Sequence, residues 1–120
     1  MKESILAEKS FDFAIRIINL YKYLTENKKE FVMSKELLRS GTAIGALQSE
    51  GSYAKSKADF IHKYGIAQKE CNETIYWLKL TYKTDYIDNK QFDSLYNDAV
   101  ELMKIITASI LTAKKSITNH

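Results

Sequence analysis

Apolar residues recur along this chain at the spacing of one face of an α-helix, in four blocks separated by short polar stretches. In the first block Phe13, Ile17, Leu20 and Leu24 stand at i, i+4, i+7 and i+11, which predicts a helix from Ser4 or Ser10 to about Asn27. Phe11, Ala14, Ile15 and Ile18 widen that stripe into a second apolar face. A helix with two apolar faces packs on more than one neighbour or on another subunit. The polar run Glu26-Asn27-Lys28-Lys29-Glu30 reads as a loop. A second helix is predicted from about Ser34, taken as its N-cap, to about Ser52, with Leu37, Ile44 and Leu47 on its core side. Its middle, Ser40-Gly41-Thr42-Ala43-Ile44-Gly45-Ala46, is built almost wholly of small residues. Gly41 and Gly45 lie four apart on one face, where another backbone can approach, so both are read as helix-packing residues.

The third block opens at Ser56-Lys57-Ala58-Asp59, a capping-box pattern with Asp in place of Glu or Gln. Phe60, Tyr64, Ala67, Cys71, Ile75 and Leu78 continue it toward Lys83 or Thr84. After a turn at residues 85–89, the fourth helix is predicted from about Asn89 to about Ser116. Its stripe is Phe92, Leu95, Ala99, Leu102, Ile106, Ile110 and Ala113. Residues 118–120 are expected to fray. Four long helices with short connections imply an all-α fold, an antiparallel up-down-up-down four-helix bundle occupying residues 1–120 as one domain.

Composition supports that class. Pro is absent and Gly occurs four times in 120 residues, too few for the many turns of an all-β chain. The 45% apolar and 28% charged content is that of a globular protein and argues against disorder or a collagen-like fibre. No run is long and apolar enough to span a membrane, and Glu8, Lys9 and Asp12 break any signal-peptide core near the start. The one cysteine, Cys71, allows no intrachain disulfide and no multi-cysteine zinc site, so a reduced cytoplasmic setting is expected.

The same residues leave little room for catalysis. Asp59-x-x-His62 has the spacing of a carboxylate–histidine metal pair, but a di-iron bundle needs two such motifs and two further Glu. Neither Arg16 nor Arg39 has a His four to six residues later, as some helical ribonucleases do. Cys71 falls on the apolar stripe and reads as a small hydrophobe. There is no phosphate-binding Gly loop. The expectation is therefore no catalytic residue, no metal, no cofactor, and no enzyme.

Charge suggests two other features. If the second and third helices form a hairpin about Lys55, Arg39 comes beside Glu70 and Glu73, and an inter-helix ion pair fixing register is expected there. An anion contact is the functional alternative. The net charge of +3 is modest, but Lys55, Lys57, Lys63, Lys114 and Lys115 would gather at one end of the bundle. Tyr53 and Tyr64 interleave with the first three, a pattern that favours single-stranded nucleic acid.

Three segments together carry a family resemblance. They are Lys9-Ser10-Phe11-Asp12-Phe13-Ala14, the run Leu37-Leu38-Arg39-Ser40-Gly41-Thr42-Ala43-Ile44-Gly45-Ala46 followed by Glu50-Gly51, and Ser56-Lys57-Ala58-Asp59-Phe60 through to Glu70. In order and spacing the chain resembles the bacterial four-helix-bundle proteins encoded by intervening sequences of 23S ribosomal RNA genes, the S23 family. It is also similar to the accessory protein of diversity-generating retroelements. The resemblance implies a ring-shaped homopentamer, with nucleic acid and a reverse transcriptase as partners. The leading reading is a non-enzymatic oligomeric accessory or scaffold for nucleic acid or a nucleic-acid enzyme. The alternative is a protein–protein interaction module with no nucleic-acid role.

Overall fold

Each apolar block of the sequence closes into one helix in the computed structural model, which describes residues 2–118 and the side chains of residues 5–118. The helices are α1 (Lys2–Glu26), α2 (Met33–Ser52), α3 (Lys57–Lys83) and α4 (Asn89–Thr118). The connections are too short for a crossover, so sequential helices run antiparallel. The helices pack in ring order, each on two neighbours and not across the diagonal, in a rod of 53 × 21 × 21 Å. The α1–α4 seam is the loosest of the four.

The apolar stripes meet along the axis. Leu6, Phe13, Ile17, Leu20 and Leu24 of α1 face Leu37 and Ile44 of α2, Tyr64, Cys71 and Leu78 of α3, and Leu95, Leu102 and Ile106 of α4. Ile87, from the α3–α4 turn, plugs one end. The small stripe of α2 lets α1 come close. A Cβ at Gly41 would stand 2.7 Å from Cγ1 of buried Ile17, and one at Gly45 would touch Ser10. Gly51 makes a similar approach to the Tyr64 ring, whereas Gly65 faces open space.

The helix boundaries depend on local polar bonds. Ser56 caps α3, its Oγ accepting from the Asp59 N–H at 3.0 Å. Residues 88–91 form a reciprocal capping box: Asp88 Oδ1 accepts from the Gln91 N–H at 2.7 Å, and Gln91 Oε1 from the Asp88 N–H at 2.9 Å. α3 ends in a Schellman motif. Asp85 takes φ 68°, its N–H donates to the Tyr82 carbonyl, and the Tyr86 N–H donates to the Thr81 carbonyl.

The start of α2 corrects the expectation for Ser34. The helix begins at Met33, and Ser34 lies inside its first turn, fully buried. The cap is Glu30. Its carboxylate accepts from the N–H groups of Val32, Met33 and Ser34 at 3.1, 3.0 and 2.8 Å, and the Ser34 hydroxyl donates to the Glu30 carbonyl. A longer side chain reaching forward from the loop satisfies three orphan donors where a serine could meet one. α1 also starts earlier than expected, at Lys2, and α4 runs to Thr118, while residues 119 and 120 lie outside the described part.

Candidate functional site

α1 buries one stripe against the bundle and turns its second stripe outward. Phe11 is 67% exposed, and Ile15 and Ile18 are also open to solvent. Because Gly45 and Ala46 of α2 carry almost no side chain, Phe11, Ala14 and Ile18 border a groove of about 790 Å³ between the two helices. Glu8 and Asp12 stand at its rim. The α2 small stripe therefore has two consequences. Gly41 seats Ile17 within the chain, and Gly45 and Ala46 leave a trough outside it.

The five candidate lysines lie at the end where α2 turns into α3 and α4 terminates. A groove of about 750 Å³ there is lined by Lys55, Lys57 and the hydroxyls of Ser56, Thr112 and Ser116. Lys57 Nζ donates to Ser116 Oγ at 2.6 Å, tying the start of α3 to the end of α4. Lys63 is engaged differently: its ammonium meets Glu50 Oε1 at 3.0 Å, and that carboxylate raises the lysine's pKa. Lys55, Lys114 and Lys115 are exposed. Tyr53, also at this end, is exposed, but Tyr64 is fully buried, so the aromatic interleaving expected there is reduced to one ring.

Arg39 extends from α2 to α3. Its Nη1 donates to Glu70 Oε1 at 3.1 Å, its Nη2 to Glu73 Oε1 at 2.6 Å, and its Nε to Glu36 Oε1 of its own helix at 3.4 Å. The bond to Glu73 leads in raising the Arg39 pKa, and Arg39 in turn lowers that of Glu73. The expected inter-helix pairing is present, and with the Arg39 side chain 47% exposed it is a surface cluster. Beneath it, the Ser40 and Thr74 hydroxyls lie 2.9 Å apart inside the α2–α3 interface, and each also reaches a carbonyl of its own helix. Two further contacts close the loose α1–α4 seam. Arg16 binds Asp98 at 2.5 Å and Ser94 Oγ at 2.7 Å, and Lys9 meets Glu101 at 3.3 Å.

Cys71 is buried, donates its S–H to the Ala99 carbonyl at 3.2 Å, and has its thiol pushed up to about 12 by burial. A thiol in that state is not a nucleophile at neutral pH. His62 is exposed one turn into α3. Among the described residues no three His, Cys, Asp or Glu side chains come close enough to hold a metal ion, and no helix is long and apolar enough to cross a membrane.

Sequence reading missed a second basic area. Lys69, Lys79 and Lys83 stand on the exposed side of α3, and Lys104 on that of α4. Their spacing of ten and four along α3 was a usable signal, masked by the acidic residues between them.

These features define a class: an antiparallel helical bundle with an uncovered apolar face and segregated surface charge. The chain belongs to the family of 23S rRNA-intervening sequence proteins, whose model matches residues 2–108. It is similar to a crystal structure of a protein of unknown function from the S23 ribosomal protein family of Bacteroides thetaiotaomicron. The two share 52% sequence identity with a TM-score of 0.91, over 92% of this chain and 98% of that one. No curated protein matches the chain.

Proposed function

We propose that this protein is a non-enzymatic, self-assembling scaffold that presents basic surfaces to nucleic acid or to an enzyme acting on it. The observation carrying this reading is the outward apolar stripe of α1. Phe11, Ile15 and Ile18 contribute little to the chain's own core, and together with the α1–α2 groove they form a contiguous apolar surface of the kind that marks an interaction site. A second copy is the occupant in this reading, and the family resemblance supports a ring of five.

Assembly also bears on charge. One chain carries only +3, but a ring repeats each basic surface once per subunit, and the summed field attracts a polyanion more strongly than one copy does. Lys55, Lys114 and Lys115, with Lys57 and Lys63 partly engaged, are the end-surface candidates. Phosphate contacts by lysine carry little sequence information, so binding is expected to be salt-sensitive and nearly sequence-blind.

Multi-angle light scattering at micromolar protein, paired with fluorescence anisotropy on labelled RNA and DNA at low salt, tests the reading. A particle several times 13.8 kDa that binds both nucleic acids is expected. A monomer removes the assembly. An oligomer that ignores nucleic acid leaves a protein-only interaction module.

A further inference from the structure

We propose that the outer face of α3, with the adjoining flank of α4, is a binding surface for single-stranded nucleic acid, separate from the lysines at the end of the bundle. This rests on the nucleic-acid part of the functional reading above and assigns it a place.

Charge is unevenly distributed around α3. Two of its three acidic residues, Glu70 and Glu73, reach toward α2, where Arg39 engages both, and the third, Asp59, lies in the first turn. The solvent side carries Lys69, which lies one turn before Glu73, and Lys79 and Lys83 further round, all exposed. Among the described residues none of these lysines, nor Lys104, lies within 4.0 Å of a carboxylate. Two of them sit over aromatic rings instead. Lys79 Nζ is 5.9 Å from the Tyr96 ring centre and Lys83 Nζ is 5.6 Å from that of Tyr82. Those rings are held in place by stacking on Phe92, at 5.3 and 4.6 Å between centres. A cation over a ring keeps its charge free for a second, anionic partner, whereas a cation in an ion pair has already been neutralised.

The register of α3 on α4 places Lys104 in the same field. Gln68 donates to Thr107 at 2.9 Å and Lys79 lies over Tyr96, so Lys104, one turn from Thr107, stands near the level of Lys69. At 1.5 Å per residue the three lysines are attached about 15 and 6 Å apart along the α3 axis, a row that an extended sugar–phosphate chain can follow.

Tyr76 sits between Lys69 and Lys79 and is 56% exposed, braced edge-on by Trp77 at 5.0 Å. It is the only large apolar side chain that α3 exposes. One accessible ring among lysines suits base stacking on a charged track. An anionic membrane would need exposed aliphatic residues to enter the acyl boundary, and this face of α3 offers none.

The test uses the full chain and a fluorescein-labelled oligo(dT) of about 20 nucleotides, long enough to follow the row, with anisotropy read from about 50 to 200 mM salt. Lys69→Glu/Lys79→Glu/Lys83→Glu is expected to weaken binding about tenfold or more and to flatten the log–log salt dependence by about 2 units, near 0.7 per lost contact. Tyr76→Ala is expected to lose about fivefold with the salt slope unchanged, as stacking and not charge is removed. Unaltered thermal melting and particle size establish that these surface variants still fold and assemble. If the triple variant binds like the parent while Lys55→Glu/Lys57→Glu/Lys63→Glu abolishes binding, this inference falls and the functional reading stands. If the parent does not bind the oligonucleotide, this inference falls, and the RNA and DNA anisotropy described above decides the functional reading separately. Binding to phosphatidylserine vesicles without binding to the oligonucleotide also overturns it.

Discussion

At position 30 a single carboxylate organises the passage between two helices. Burial works against the Glu30 charge, yet bonds from the Ser34, Met33 and Val32 N–H groups outweigh it and hold the pKa below the ordinary carboxylate value. A depressed folded-state pKa gives stability that is present above the unfolded pKa and lost as pH falls through the folded one. Glu30→Gln is thus expected to cost about 1–2 kcal/mol at neutral pH and to make stability less sensitive to acid below about pH 4.5, as measured by urea unfolding across a pH series. An unchanged acid limb in the variant would remove Glu30 from that role. The glycines make an opposed pair at the same scale. Gly41→Ala places a methyl against buried Ile17 and is expected to destabilise by about 1–3 kcal/mol. Gly65→Ala meets nothing and is expected to stabilise by about 0.5–1 kcal/mol, since only backbone entropy changes. Equal shifts in melting temperature for the two would show that helix propensity and not packing governs both.

Among the elements, α2 and α3 show how register is set. Gly51 against Tyr64, Lys63 on Glu50, Arg39 on Glu70 and Glu73, and Thr74 against Ser40 recur along one antiparallel pairing. The polar contacts are individually small because most are near solvent. For Arg39 this sets the size of the effect. Arg39→Lys is expected to cost under about 1 kcal/mol in chemical denaturation, through loss of the fork that spans two carboxylates, and the cost should shrink at high salt. A loss of several kcal/mol would mean the cluster is buried in the assembled protein. The third and fourth helices were readable from spacing alone, because a stripe repeating at 3.6 residues has one stable partner, the facing stripe of its neighbour. The start of α2 was not. Ser34 has the chemistry of a cap and the right place in sequence, but which side chain caps a helix depends on how the preceding loop turns. Lys29 at φ 54° gives that loop a turn that no periodicity reveals.

For the whole molecule, the open question of surface is also the question of assembly. The α1 stripe of Phe11, Ile15 and Ile18 lies largely outside the core, so loss of its outermost member should leave the bundle intact. Phe11→Glu is expected to change the stability of a single chain by about 0.5 kcal/mol or less, because an exposed side chain has little packing to lose. The same change should dissociate the assembly, since a charge would have to enter an apolar interface. Light scattering on the variant decides this, and an unchanged particle size would place the interface elsewhere.

The number of helices, their order and most of the core were already fixed by the periodicity of the chain, because burial rewards one face of a helix and the sequence records which face it is, whereas Ile87 enters the core from a turn that periodicity does not mark. The outward second stripe of α1 was readable for the same reason. The distribution of polar function was not. That Lys63 is neutralised by Glu50, that Gly51 is what lets the Tyr64 ring in, and that Glu70 and Glu73 turn to Arg39 while the α3 lysines stay in solvent all depend on contacts between helices. A charge is defined by what stands next to it, and for these residues the neighbours come from other helices.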